Sequence, residues 1–89
     1  MFDKYWEKII YKNNKHINNY PYDWVVSSVN KFVNYKKNAL ELGSGTANHL
    51  IFLSKFGFKN VLGLEASKTA IKISKEKIKK KKNIFLKKI

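Results

Sequence analysis

The sequence predicts an α/β protein in which two N-terminal helices precede an open parallel sheet of three strands in the order βαβαβ. Two features of the second half of the chain predict this class. Short apolar runs of strand length alternate with stretches whose apolar residues recur at helical spacing. The run Gly43-Ser44-Gly45 lies between the first strand and the helix after it. Such alternation favours a parallel sheet, because parallel neighbours need a long crossover connection.

Residues 1–37 are predicted to form a helical lead-in to the sheet. The first helix is indicated by apolar residues at helical spacing, namely Phe2, Tyr5, Trp6, Ile9 and Ile10. Residues 11–20 are polar and rich in asparagine, which is typical of a loop. Asp23 is expected to be the N-cap of a second helix that ends near Tyr35. The apolar stripe of this helix consists of Val25, Val29, Phe32 and Val33.

Residues 38–89 are predicted to contain the alternating strands and helices. Apolar runs predict strands over residues 39–42, 61–64 and 84–86. The helix after the first strand is expected to end at Gly57, and its apolar stripe consists of Leu50, Ile51, Leu53 and Phe56. Ser67 is a suitable N-cap for the next helix, whose packed face is predicted to hold Ala70, Ile71, Ser74 and Ile78.

Three parallel strands form only the first half of a typical open α/β domain. Such a sheet leaves one strand edge unpaired and much of its apolar face uncovered. We therefore expect the chain to be marginally stable alone. A truncated gene, a partial reading frame and a partner that supplies the complementing C-terminal half all remain open. A cooperative thermal transition above about 60 °C would contradict this expectation.

The chain is strongly basic but contains no arginine. Its 19 basic residues are all lysines, and its formal net charge is +13. A basic surface is typical of nucleic-acid binding, yet such sites favour the bidentate arginine side chain. Lysine together with abundant asparagine and isoleucine is also what A/T-rich codons yield. Codon composition is therefore the favoured explanation of the high positive charge. A lysine-rich nucleic-acid-binding module is the alternative function.

Several classes of protein and site are disfavoured by composition. The sequence has no cysteine, which excludes disulfides and thiolate metal sites. No apolar run approaches the roughly 18 residues of a membrane span. Charged residues within the first ten positions interrupt the apolar stretch that a signal peptide would need. We therefore expect a cytoplasmic protein. His16 and His49 lack a second ligand at metal-binding spacing, so no metal site is predicted. His49 is expected to be a surface or packing residue.

The residues that best indicate a ligand-binding site lie in and around the glycine-rich run. Gly43 and Gly45 allow close approach of a ligand, and the following helix N-terminus favours an anionic group. Glu41 just before the run would repel a pyrophosphate but suits a ligand with an ammonium group. Glu65 lies 24 residues after Glu41, at the end of the second strand, where a carboxylate can accept both ribose hydroxyls. One ligand that combines these groups is S-adenosylmethionine.

A dinucleotide-binding site is the nearest competitor. Its G-x-G-x-x-G/A fingerprint places Asn48 at the third position, where the motif needs glycine or alanine. The spacing G-x-G-x-G fits Gly43 and Gly45, with Ala47 as the third small residue. That position needs a small residue for helix packing, so alanine is a mild departure. A fragment of a dinucleotide-dependent oxidoreductase is accordingly the weaker interpretation.

The segments 41–48 and 61–67 together resemble the first two motifs of class I S-adenosylmethionine-dependent methyltransferases. The segments 6–11 and 19–26 are similar to the lead-in of one bacterial subgroup of small-molecule methyltransferases. The resemblance spans nearly the whole chain but only the cofactor-binding half of that family's Rossmann-like fold. It implies methyl transfer to a small-molecule acceptor, with this chain supplying the cofactor-binding half and inactive alone.

The resemblance also implies roles for individual residues. Gly43 and Gly45 would hold the methionyl moiety, Glu41 would meet its ammonium group, and Glu65 would hold the ribose. The predicted cofactor-binding set is Glu41, Gly43, Ser44, Gly45, Glu65 and Ala66. Neither the family's adenine-contacting acidic residue nor any catalytic residue is identified in this sequence. Packing against the sheet and contact with cofactor or substrate both remain open for four aromatic residues, Trp6, Tyr20, Tyr22 and Trp24.

Overall fold

A computed structural model describes residues 20–89 of the chain. The first predicted helix, Trp6 and His16 lie outside the described residues. The elements in chain order are α1 (Asp23–Phe32), β1 (Asn38–Leu42), α2 (Asn48–Phe56), β2 (Asn60–Glu65), α3 (Lys68–Ile78) and β3 (Ile84–Lys88). The predicted α/β class and the order βαβαβ are confirmed. The division into residues 1–37 and 38–89 stays a prediction.

The three strands form one parallel sheet in the order β1-β2-β3. Glu41 of β1 lies opposite Gly63 of β2, and Glu65 of β2 lies opposite Lys88 of β3. The carboxyl ends of all three strands therefore meet at one edge of the sheet. The two predicted acidic residues both lie at this edge, beside the loops that lead into α2 and α3.

The core lies between one face of the sheet and the helices α2 and α3. Ala47, Leu50, Val61 and Ala70 are completely buried, and Ile78 and Ile84 are nearly so. Half-buried Val29 and Val33 add α1 and its C-terminal end to this core. Ser67 caps α3 as predicted, because its side chain accepts a hydrogen bond from the backbone N–H of Ala70 at 3.0 Å. The cap fixes where α3 begins, next to the carboxyl ends of the strands.

The opposite face of the sheet is open in the part of the chain that the structure describes. Its exposed apolar side chains are Leu40, Leu42, Leu62 and Phe85. Within residues 20–89, β1 pairs only with β2, so its other edge is unpaired. Both features were expected of a three-stranded parallel sheet. No helix over these residues is long and apolar enough to cross a bilayer.

The start and end of α1 differ from the sequence prediction. Tyr22, in extended backbone, is the N-cap, and Asp23 lies in the first turn instead of capping the helix. The helix ends at Phe32, and Val33 already has extended backbone. This change of direction brings Val33 to the core while Phe32 remains 76% exposed. The prediction that Phe32 belongs to the packed stripe was therefore wrong.

Candidate functional site

The loop between β1 and α2 has left-handed backbone at three alternate positions. Gly43 has φ of 69°, Gly45 has φ of 56° and Ala47 has φ of 73°. The N–H groups of Gly43 and Ser44 donate to the Leu64 carbonyl oxygen at 2.8 and 3.2 Å, which fastens the loop to β2. The sequence interpretation of Ala47 as merely a small packing residue was incomplete, because a left-handed conformation also disfavours side chains there.

Two side chains of α3 hold the loop and the start of α2 in place. Ser74 is completely buried, and its hydroxyl donates to the Gly45 carbonyl oxygen at 2.9 Å. The Lys77 ammonium donates to the side-chain oxygen of Asn48 at 3.0 Å, which ties α3 to the start of α2. Partial burial lowers the pKa of Lys77. Sequence reasoning placed Ser74 on the packed face of α3 but could not identify its partner across the sheet edge.

Glu65 links the loop after β1 to the loop after β2 at the carboxyl ends of the strands. One carboxylate oxygen accepts the Gly45 N–H at 2.7 Å, and the other accepts the Ser67 N–H at 2.9 Å. The side chain is buried, with 7% of the residue exposed. Each carboxylate oxygen can accept more than one hydrogen bond, so further acceptor capacity remains for a ligand hydroxyl. Glu65 therefore organises the loops even before a ligand is considered.

Glu41 has one satisfied and one unsatisfied carboxylate oxygen. Its Oε2 lies 2.6 Å from Nδ1 of His49. Its Oε1 is buried and has no hydrogen-bond partner within the described residues. Burial raises the pKa of Glu41 above its ordinary value of 4.5, and the hydrogen bond with His49 opposes this only in part. A buried carboxylate oxygen without a donor is costly, and a cationic ligand would satisfy it.

His49 occupies the first turn of α2 and contacts two other parts of the chain. Its Nδ1 faces Glu41, and its Nε2 accepts the backbone N–H of Tyr22 at 3.2 Å. The rings of Tyr22 and His49 meet edge to face with centroids 5.1 Å apart. Sequence reasoning missed the Glu41 contact, because a separation of eight residues across a loop matches neither strand nor helix periodicity. Only the adjacency of strand end and helix start could have suggested it.

All six predicted cofactor-binding residues lie at or beside this edge. Ser44 is buried in the loop and its Oγ has no partner among the described residues, whereas Ala66 is half-buried after Glu65. Tyr20 and Trp24 are exposed and Tyr22 is half exposed, so none of these three side chains is buried against the sheet. Among residues 20–89, no three His, Asp or Glu side chains are grouped so as to hold a metal ion.

Gly63 determines how closely the loop between β1 and α2 approaches β2, and no sequence pattern indicates this role. A Cβ atom at this position would lie 2.6 Å from Leu50 Cδ1, 2.8 Å from Ser44 Oγ and 2.9 Å from Ser44 Cβ. Gly63→Ala is expected to lower the free energy of unfolding by about 1–3 kcal/mol, as overpacking does. Urea denaturation followed by circular dichroism measures this change.

Ser44→Gly provides the matched background for that prediction. Two of the three close approaches to a Cβ at position 63 come from Ser44. Gly63→Ala should therefore cost less in the Ser44→Gly chain than in the wild type. An equal cost in both backgrounds would assign the clash to Leu50 and not to Ser44, and no cost in the wild type would show that this position does not need glycine.

Comparison with known proteins supports the fold. No family model and no curated protein matches the chain. A SAM-dependent methyltransferase from Anabaena variabilis ATCC 29413 is 27% identical with a TM-score of 0.66, over 97% of this chain and 38% of that one. A SAM-dependent methyltransferase from Thiobacillus denitrificans, solved with S-adenosyl-L-homocysteine, is 15% identical with a TM-score of 0.63, over 90% and 34% of the two chains.

A third solved structure agrees with these two. The PH0226 protein from Pyrococcus horikoshii OT3 is 21% identical with a TM-score of 0.64, over 97% of this chain and 39% of that one. The chain thus spans between a third and two fifths of the length of these proteins. It has the α/β fold of the N-terminal part of class I SAM-dependent methyltransferases.

Proposed function

We propose that this chain, which has the N-terminal part of the class I methyltransferase fold, binds S-adenosylmethionine and supplies the cofactor-binding half of a methyltransferase. The observation that carries the proposal is that Oε1 of Glu41, beside the glycine loop, is buried and has no hydrogen-bond partner among residues 20–89. The ammonium group of the methionyl moiety is a donor that would satisfy this oxygen. The comparison with methyltransferase structures supports the same cofactor.

The residues at the sheet edge fit the remaining parts of this ligand. Gly43 and Gly45 have positive φ angles, which favour glycine, and the lack of side chains at both positions leaves the loop backbone open to the methionyl moiety. Glu65 retains acceptor capacity for ribose hydroxyls although both of its oxygens already bind backbone N–H groups. Ser44 and Ala66, which lie next to these residues, complete the proposed cofactor-binding set.

The cofactor supplies a methyl group that is already activated on a sulfonium. The chain would therefore contribute mainly binding and orientation, and the exclusion of water, rather than proton transfer. His49 does not supply a base in this arrangement, because both of its ring nitrogens are engaged. The catalytic residues that act on the acceptor are not assigned to this chain.

The acceptor is proposed to be a small molecule, and a C-terminal half is proposed to complete the enzyme. The open apolar sheet face and the unpaired edge of β1 support a complementing partner. The chain alone is proposed to bind the cofactor weakly and to be inactive. A cytoplasmic location is part of the same proposal.

Titration with S-adenosylhomocysteine, followed by NMR of the backbone amides, tests the proposal. This method detects millimolar binding. We expect saturable shifts at Gly43, Gly45 and Ser67, and no comparable shifts with NAD. High salt should leave them nearly unchanged, whereas nucleic-acid binding through lysine falls steeply with salt. Saturable shifts with a single-stranded RNA, and none with S-adenosylhomocysteine, would favour the lysine-rich binding module instead.

A further inference from the structure

The two hydrogen bonds of His49 define its tautomer. Its Nε2 accepts from the Tyr22 backbone N–H, so this nitrogen carries no proton. In the neutral ring the proton is then on Nδ1, which donates to Oε2 of Glu41 at 2.6 Å. The His49 side chain is 16% exposed, and the ring of Tyr22 lies edge to face against it. The imidazole thus joins the start of α1, the start of α2 and the end of β1.

This arrangement has a consequence for Glu41. A carboxylate can rotate and present either oxygen to a ligand, but the bond to His49 engages Oε2 and leaves Oε1 as the unpartnered oxygen. Tyr22 in turn fixes the imidazole, because its backbone N–H is a donor and requires an unprotonated ring nitrogen opposite it. A chain of two directional hydrogen bonds therefore determines which carboxylate oxygen is available.

We propose that His49 is a positioning residue that holds Glu41 with Oε1 free for the cationic group of a ligand and fastens the start of α1 beside the glycine loop. This inference rests on the function proposed above. His49 acts through Glu41 and is not a catalytic residue, since neither ring nitrogen is free to exchange a proton with a substrate. The ligand class is one that carries an ammonium group next to the glycine loop.

Two conservative substitutions separate the two hydrogen bonds. The amide nitrogen of asparagine lies at a similar distance from the backbone as Nδ1 of histidine, and the amide group of glutamine extends as far as Nε2. His49→Asn should therefore keep the bond to Glu41 and lose the acceptor for Tyr22. His49→Gln should keep that acceptor and lose the bond to Glu41. His49→Ala loses both and serves as the reference.

The experiment combines imidazole ¹⁵N NMR of the wild-type chain with S-adenosylhomocysteine titration of the three variants. We expect the Nδ1–H tautomer of His49 in the wild type. Affinity should stay nearly unchanged in His49→Asn and fall about fivefold in His49→Gln and His49→Ala, which corresponds to roughly 1 kcal/mol. Hydrogen exchange at the Tyr22 amide should accelerate in His49→Asn and stay slow in His49→Gln.

The possible failures are distinguishable. An Nε2–H tautomer in the wild type would overturn the inference without reference to any ligand. Wild-type affinity in His49→Gln would also overturn it while leaving the proposed function intact. If the wild-type chain shows the expected tautomer but does not bind S-adenosylhomocysteine, the proposed function fails, and the role of His49 towards a ligand fails with it.

Discussion

Glu65→Gln is expected to lower the free energy of unfolding of the chain by about 2 kcal/mol, since hydrogen bonds to charged groups contribute roughly 1.5–3 kcal/mol. Glu65 accepts the N–H groups of Gly45 and Ser67 with one oxygen each. Glutamine has a single acceptor oxygen, so its amide NH₂ would face one of these N–H groups. A loss of this size is a large fraction of the stability of a small domain. Urea denaturation followed by circular dichroism measures it.

Glu76→Gln is the matched control for this substitution. Within residues 20–89, Glu76 makes only an exposed ion pair, with 3.7 Å between its Oε1 and Nζ of Lys79. Its loss should change the free energy of unfolding by less than about 1 kcal/mol. Hydrogen exchange should accelerate at Gly45 or Ser67 in Glu65→Gln but not in Glu76→Gln. Equal denaturation midpoints for the two variants would mean that Glu65 does not hold the loops together.

The elements of the fold could be predicted because each is encoded locally. The apolar runs of the strands, the glycine run and the Ser67 cap are all properties of neighbouring residues. The errors lie where tertiary packing decides the outcome. The last turn of α1 is one example, since Val33 contacts the core and Phe32 does not. Helical spacing alone cannot show where a helix ends within an apolar run.

The sequence allowed the candidate-site residues to be placed at one edge of the sheet, but it did not allow their hydrogen-bond partners to be predicted. Glu41 and Glu65 could be assigned to one edge of the sheet because parallel strands share a direction. The second partners of these residues were not predictable, because His49 and Ser67 reach them through loop geometry. Gly63 also gave no signal, since its requirement comes from Leu50 and Ser44 rather than from its own strand. Long-range contacts of this kind depend on the folded backbone.

Glu41→Gln is expected to change stability and ligand binding in opposite directions at neutral pH. Burial raises the pKa of Glu41 in the folded chain. A carboxyl group with a raised folded-state pKa contributes stability below its unfolded pKa, and this contribution is lost as the pH rises through the folded pKa. The ionised Glu41 is therefore a cost at neutral pH, and glutamine removes that cost.

The pH dependence distinguishes this effect from a simple change of hydrogen bonds. The stability of Glu41→Gln relative to the wild type should increase as the pH rises from about 4.5 to neutral. Urea denaturation of both chains at several pH values measures the difference. A constant difference over the whole range would contradict a raised pKa at Glu41.

Ligand binding by Glu41→Gln supplies the opposite half of the prediction. The affinity for S-adenosylhomocysteine should fall about tenfold, or roughly 1.4 kcal/mol, because the charge that meets the ammonium group is lost. The affinity for 5′-methylthioadenosine, which lacks the amino-acid moiety, should not change. Equal losses for both ligands would place Glu41 away from the ammonium group. A variant that is more stable but binds less well would show that Glu41 is retained at a cost to folding, because a buried carboxylate oxygen that has no donor among residues 20–89 is useful only when a cation arrives.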